Sequence, residues 1–252
     1  SSNNTLYTIY VYLFSLVVEY ILLFKGFFVT GGSNKHSPFD KTGIIKTTEI
    51  YYNGSWSSLP PMPLEFGSTS SCAVAFNDSH VVTMGGYGGT TGGWQLRHVL
   101  MFNLDSNEWH RMQDWPRRPD LQSMYGFKCG LAPNGEIVIM GGWDKYDKIF
   151  PKRMSLYNPG SDTWRNGQEL NIAQDWWVGK LVQAVGEEGF YYLGGRSSTG
   201  GVLEERILFW NGKVGDPWVD TNVKLGFKMT SFAFVMAVKL DSESFLCCTD
   251  NN

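Results

Sequence analysis

The stretch Val81-Val-Thr-Met-Gly-Gly86, an apolar strand closed by two glycines, recurs as Phe27-Phe-Val-Thr-Gly-Gly32, Ile137-Val-Ile-Met-Gly-Gly142 and Tyr191-Tyr-Leu-Gly-Gly195. The first glycines of the pairs, Gly31, Gly85, Gly141 and Gly194, stand 54, 56 and 53 residues apart. A second marker keeps the same period: Trp56, Trp109, Trp164 and Trp218 follow the second glycine of their unit by 22 to 24 residues. Two markers in phase define an internal repeat.

Each unit offers four strand-like runs. The first reads Ser71-Cys-Ala-Val-Ala-Phe76, Gly126-Phe-Lys-Cys-Gly-Leu131 or Lys180-Leu-Val-Gln-Ala-Val185, and ends in turn residues such as Asn77-Asp78, Asn134-Gly135 or Glu187-Glu-Gly189. These are hairpin signals. The second run is the diglycine strand, whose β-branched and aromatic content suits burial. The third carries Glu49–Tyr52, Val99–Phe102, Met154–Tyr157 or Ile207–Trp210, and after a tight turn the marker Trp opens the fourth. A period of roughly 40 to 55 residues with Gly and aromatic markers is the signature of a β-propeller, each unit being one four-stranded blade. Paired glycines at a strand end suit positive φ or a close backbone approach. The Trp is expected to pack one blade on its neighbour.

The units resemble kelch repeats. In that family an apolar strand ends in Gly-Gly, a Tyr follows some twenty residues on, and a Trp about six later. Tyr157 with Trp164 matches closely, as does Tyr51 or Tyr52 with Trp56; Phe102 with Trp109 is a conservative variant, and Phe209 or Trp210 with Trp218 is looser. Trp56-Ser-Ser-Leu-Pro-Pro-Met-Pro63 is similar to the run that joins kelch blades. The resemblance covers about residues 26 to 240. It implies an all-β kelch-type propeller and leaves activity open, because such scaffolds host binding modules and enzymes alike.

The units fall at about 15–63, 64–116, 121–167 and 172–220, with an incomplete fifth at 228–252. There Ser231–Val238 and Ser244–Cys248 read as strands, and Cys247-Cys248 or Thr249-Asp250 stands where a diglycine is due. Kelch propellers usually close with six or seven blades. Two readings fit: a five-bladed ring in which residues 6–14 complete the last blade, or a fragment of a larger propeller. Residues 5–24 form an apolar run with one charge, Glu19, long enough to be a membrane or signal segment. Its Tyr, Val and Ile content, and the first strand due at Val17–Ile21, read instead as strand.

Composition narrows the partners. Lys plus Arg number 21 against 24 Asp plus Glu, a net charge of −3, so no basic field exists for nucleic acid or an anionic membrane. The four cysteines, Cys72, Cys129, Cys247 and Cys248, lack metal-finger spacing. Cys72 and Cys129 hold equivalent first-strand positions and read as buried small hydrophobes. No cofactor or metal is expected. Sequons at Asn3, Asn53 and Asn77 would serve a secreted chain; a cytoplasmic location is the expectation, with secretion the alternative.

Catalytic patterns were weighed against the same residues. Galactose oxidase-like enzymes, which share kelch-type blades, need a copper site of two His, two Tyr and a crosslinked Cys. Here His80 and His110 lie on strands, whereas His36 and His98 lie in or near loops after the diglycines and read as solvated. Ser161-Asp-Thr-Trp164 matches only the end of a sialidase-type turn, and Gly85–Gly93 reads as a loop, not a phosphate cradle. Enzymatic function is not indicated.

What remains is recognition through loops. The connections from second to third strand, Ser33–Lys46, Tyr87–Arg97, Trp143–Arg153 and Arg196–Glu205, are long enough to be functional. The resemblance implies that they emerge beside the blade-to-blade connections on one face of the propeller. The candidate binding residues on that face are Ser33, Asn34, Tyr87, Arg117, Arg118, Tyr125, Trp143, Asp144, Gln174, Trp176, Arg196 and Ser197, with Glu65, Phe66, Gln122, Asp175 and Trp177 nearby. Aromatics and arginines carry much interface energy, and Arg117, Arg118 and Arg196 suit carboxylates of an acidic peptide. Trp176 or Trp177 equally suits packing between blades, and Arg117-Arg118, flanked by prolines, equally suits a solvated loop. The expected function is non-enzymatic binding of a protein or peptide partner, with substrate adaptor or scaffold as roles that the resemblance implies. No BTB or F-box pattern occurs in this chain. The alternative is a carbohydrate-binding or carbohydrate-active propeller, galactose oxidase-like or sialic acid isomerase-like.

Overall fold

The computed structural model describes residues 7–13, 16–23, 26–34, 43–88, 96–116, 125–143, 153–169, 174–175, 180–183, 189–194, 196–197, 205–213, 215–224, 236–239 and 245–248. The described residues are built from antiparallel strands, and none of them forms a helix long and apolar enough to cross a membrane. The chain divides into two compact units, Ser1–Tyr125 and Gly126–Asn252.

In the first unit, β1 (Tyr7–Leu13), β2 (Leu16–Leu23), β3 (Gly26–Thr30), β4 (Thr48–Tyr52) and β5 (Ser55–Leu59) form one sheet in chain order. Within the apolar run of residues 5–24, the described residues Tyr7–Leu13 and Leu16–Leu23 are strands. β1 departs from the expectation that residues 6–14 complete the last blade. It pairs instead with β2, from Tyr7 opposite Leu22 to Leu13 opposite Leu16. A link this short makes the local hairpin cheap in chain entropy. After the short β6 (Ser68–Thr69), the second blade follows as β7 (Cys72–Asn77), β8 (His80–Met84), β10 (Val99–Asn103) and β11 (Glu108–Arg111), with β9 (Tyr87–Gly88) pairing back to β6.

The second unit repeats the plan. β12 (Tyr125–Leu131), β13 (Ile137–Trp143), β14 (Arg153–Asn158) and β15 (Thr163–Glu169) make the third blade. The fourth contains β17 (Lys180–Gln183), β18 (Phe190–Leu193), β20 (Arg206–Trp210) and β21 (Val219–Lys224); β16 (Gln174–Asp175) pairs with β19 (Arg196–Ser197). β22 (Met236–Lys239) and β23 (Phe245–Cys248) form a separate hairpin, close to where the fifth unit's first two strands were expected.

Each unit buries its apolar side chains between consecutive blades. Phe28 of the first blade packs with Ala73, Ala75, Val81 and Phe102 of the second. Val138, Met140 and Leu156 of the third pack with Tyr192, Leu208, Trp210 and Trp218 of the fourth. Strand alternation explains this, because residues two apart share a face. A blade cannot bury either face alone, so each depends on its neighbour.

Two of the marker tryptophans, Trp109 and Trp218, carry much of that packing. Trp109 lies against Phe102 of its own blade at 4.9 Å and Phe28 of the preceding blade at 6.2 Å. Its indole N–H also donates to the Pro60 carbonyl at 2.8 Å. Trp218 is buried beside Trp210 at 5.9 Å and Tyr192 at 6.4 Å. Trp56 contradicts the expectation and is 53% exposed. Cys72 and Cys129 are buried as expected, but each sulfur is in a disulfide and not a free thiol; sequence spacing carries no information on sulfur oxidation.

Candidate site at the diglycine ends of the blades

The diglycines organise the end of each blade where the long connections begin. The first glycine donates its N–H to the backbone at the start of the third strand: Gly31 to Thr47 O at 3.0 Å, Gly85 to His98 O at 2.9 Å, Gly194 to Arg206 O at 2.9 Å. The second-to-third connection is therefore pinched shut at its base. The blade-to-blade connections are anchored beside it. Met62 and Trp115, each six residues past a marker Trp, are buried and donate their N–H groups to Lys46 O at 2.9 Å and Arg97 O at 2.8 Å. The Arg97 guanidinium donates back to Trp115 O at 2.8 Å.

Ser68 ties two diglycines together. Its carbonyl accepts the N–H of Gly32 from the first blade at 2.8 Å, and its hydroxyl donates to Gly85 O of the second at 3.0 Å. Gly31 has φ +69°, and a Cβ there would collide with Ser68 O. Gly86 has φ +96°, and its Cβ would come within 2.6 Å of Thr69 O. Both reasons for glycine, left-handed backbone and close approach, thus hold at these two positions.

Beyond this junction the two classes of connection pair as strands. Ser68 stands opposite Gly88 and Thr69 opposite Tyr87. In the second unit Gln174 stands opposite Ser197 and Asp175 opposite Arg196. In the first blade Ser33 bridges to Ile44, and Asn34 N–H donates to Gly43 O at 2.9 Å. The same placement recurs in both units: residues following a diglycine lie against the chain that enters their own blade.

Among the candidate residues, Asn34 is exposed at the start of its loop. Ser33 and Tyr87 are buried, which directs their side chains into the protein and makes them supports of the rim. Gln174, Arg196 and Ser197 are brought together by the β16–β19 pairing. Tyr125 begins β12 and Trp143 ends β13. Arg117, Arg118, Asp144 and Trp176 lie outside the described residues, as do Gln122 and Trp177. Nearby, Glu65 and Phe66 are exposed.

His98 differs from its reading as a solvated loop histidine. It is 2% exposed, and neither ring nitrogen has a hydrogen-bond partner among the described residues. Burial, aided by the positive charge of Arg111, lowers its pKa to about 3, so the imidazole is neutral at physiological pH. Its carbonyl holds Gly85, and the adjoining apolar Val99-Leu100 was the sequence signal for an interior position. Among the described residues no group of three or more His, Cys, Asp or Glu side chains could hold a metal.

Comparison with known proteins supports the fold reading. No family model matches the chain. A curated relative, Kelch repeat protein M-T8 of Myxoma virus (strain Lausanne), is 30% identical over 116 residues, which is 46% of this chain and 20% of that protein. The match thus spans about a fifth of the relative's length. The solved structure of YjhT is similar with a TM-score of 0.58 and 15% identity, over 78% of this chain and 66% of that one. With the four-stranded antiparallel sheets and the repeat, these likenesses make the fold a kelch-type β-propeller.

Proposed function

We propose that this chain is a non-enzymatic recognition module that binds a short, carboxylate-bearing segment of a partner protein at the diglycine ends of its blades. The observation that carries this reading is the strand pairing of the two connection classes, Thr69 opposite Tyr87 and Asp175 opposite Arg196. Such pairing gives the loops a fixed base. A preorganised rim costs less ordering entropy when a ligand binds.

The residue types beyond that base favour an acidic peptide. Arg117, Arg118 and Arg196 offer planar forks for carboxylates, and Trp143 and Trp176 are the kind of side chain that anchors peptide interfaces. The net charge of −3 speaks against nucleic acid. A role as adaptor or scaffold follows if the bound segment belongs to a protein that is delivered or held by another module.

The test presents the purified chain with a random peptide library and a glycan array in parallel. Enrichment of peptides carrying Asp or Glu, lost on Arg196→Ala, is the expected result. Retention of glycans with no peptide enrichment would transfer the site to the carbohydrate reading.

A further inference from the structure

Two of the three sequons fall on hairpin turns of the first unit, and both turns stand at the same end of their blades. Asn53-Gly54-Ser55 links β4 to β5, and Asn77-Asp78-Ser79 links β7 to β8. Gly26 stands opposite Tyr52 and Thr30 opposite Thr48, so the first turn lies at the end of the sheet away from Gly31. In the second blade Asn77 stands opposite His80 and Cys72 opposite Met84, which puts the second turn away from Gly85. Ser68 bonds to both diglycines and so sets those ends side by side. The two asparagines therefore lie on the side of the unit remote from the diglycines.

Each turn leaves its asparagine open to a substituent. Asn53 and Gly54 have φ of +49° and +82°, the left-handed pair that a two-residue hairpin turn requires. Asn53 is exposed, and a Cβ at Gly54 would meet no atom within 4 Å. Tyr52, directly before Asn53, is 50% exposed, so a sugar joined there would have an uncovered aromatic ring beside it. Asn77 is exposed as well. Its Oδ1 accepts the Ser79 N–H at 2.9 Å and lies 2.9 Å from His80 Nδ1, whereas its Nδ2 has no hydrogen bond among the described residues.

Sulfur chemistry on the same strand bears on the compartment. β7 carries Cys72 at one end and Asn77 at the other, and Cys72 is disulfide-bonded, as is Cys129 on the first strand of the third blade. Disulfides persist in the secretory pathway and outside the cell and are rare in the cytosol. We propose that this chain passes through a secretory pathway and carries N-linked glycans at Asn53 and Asn77. The co-reactant is a lipid-diphosphate-linked oligosaccharide. Asparagine Nδ2 forms a bond to its anomeric carbon as the bond from that carbon to the diphosphate oxygen breaks. The lipid diphosphate leaves with the bonding electron pair, and the amide nitrogen gives up one proton to solvent. Glycans at these positions leave the diglycine ends of the first two blades uncovered.

Peptide mapping of the full chain purified from its natural source tests this, with glycans removed enzymatically in heavy-oxygen water and digestion after Glu65 to separate the two sites. The expected result is conversion of Asn53 and Asn77 to labelled Asp, with Cys72 and Cys129 resistant to alkylation until reduced. In the chain expressed through the secretory pathway of an animal cell, Ser55→Ala and Ser79→Ala should each remove the mass of one glycan, and Ser55→Thr and Ser79→Thr should retain it. These variants keep both asparagines, and circular dichroism identical to that of the parent checks that they fold. Unmodified Asn53 and Asn77 in the natural protein would overturn the proposal, as would free thiols at Cys72 and Cys129. Label at one asparagine alone would overturn the assignment of the other, and a glycan mass unchanged by both Ser→Ala variants would overturn both.

Discussion

The carbonyl of Ser68 accepts the N–H of Gly32 at 2.8 Å, so the residue entering the second blade closes the diglycine of the first. This bond, with the Ser68 hydroxyl on Gly85 O, makes the junction between blades a backbone feature and not merely apolar packing. Ser68→Ala removes a buried hydrogen bond and is expected to cost about 1 kcal/mol. Gly31→Ala forces a side chain into left-handed backbone and against Ser68 O, a cost of about 3 kcal/mol. Urea unfolding midpoints measure both, and equal midpoints for parent and Gly31→Ala would contradict this role.

The marker tryptophans separate into covered and uncovered. Trp109→Phe keeps an aromatic ring but loses the bond to Pro60 O, and about 1 kcal/mol of stability is expected to go with it. Trp56→Phe alters a half-exposed ring with no such bond and should leave stability within about 0.5 kcal/mol of the parent. Thermal unfolding of the two variants provides the comparison.

His98 gives stability a pH dependence of definite sign. Its pKa is about 3 in the folded chain against an ordinary 6.5, so between these values the unfolded state binds more protons. Its contribution is complete above pH 6.5 and is lost as pH falls towards 3, with a slope of at most about 1.4 kcal/mol per pH unit. His98→Leu removes both the slope and a buried ring without hydrogen-bond partners. At pH 7 it should be neutral or stabilising, by up to about 1 kcal/mol. Unfolding free energies at pH 4, 5 and 7 for parent and variant test this.

Glu136 and Arg165 form a two-point ion pair within the third blade, with Asn134 Nδ2 donating to the same carboxylate at 2.7 Å. The hydrogen bonds from Arg165 hold the Glu136 carboxyl below its usual value despite partial burial. Its contribution is present above pH 4.5 and lost below it as the carboxylate is protonated. Glu136→Gln is expected to cost about 1 kcal/mol at pH 7, a modest figure because Arg165 is half-exposed to solvent. The difference from the parent should shrink at pH 3, and denaturant titrations at the two pH values measure it.

The strand plan was legible because repetition averages out local ambiguity. Tyr51 with Trp56, Phe102 with Trp109 and Tyr157 with Trp164, first recognised by spacing, stand directly opposite one another across their hairpins. The fourth unit matched loosely because the link from β20 to β21 spans residues 211–218, longer than in the other blades, and Trp218 packs on Trp210 and Tyr192. Burial at the loop base was not legible. Ser33, Tyr87 and His98 look like rim residues by position, and only the pinching of their connections against neighbouring backbone turns them inwards. Exposure of Trp56 was equally hidden, since it depends on what lies next to a blade and not on the blade's own residues.

The most direct test of loop-face recognition is a quantitative mass-spectrometric pull-down with the purified chain beside a folded variant carrying Arg117→Ala, Trp143→Ala and Arg196→Ala. A protein partner captured by the parent and lost by the variant is the result predicted here. Identical capture profiles for the two would contradict the assignment of binding to this face.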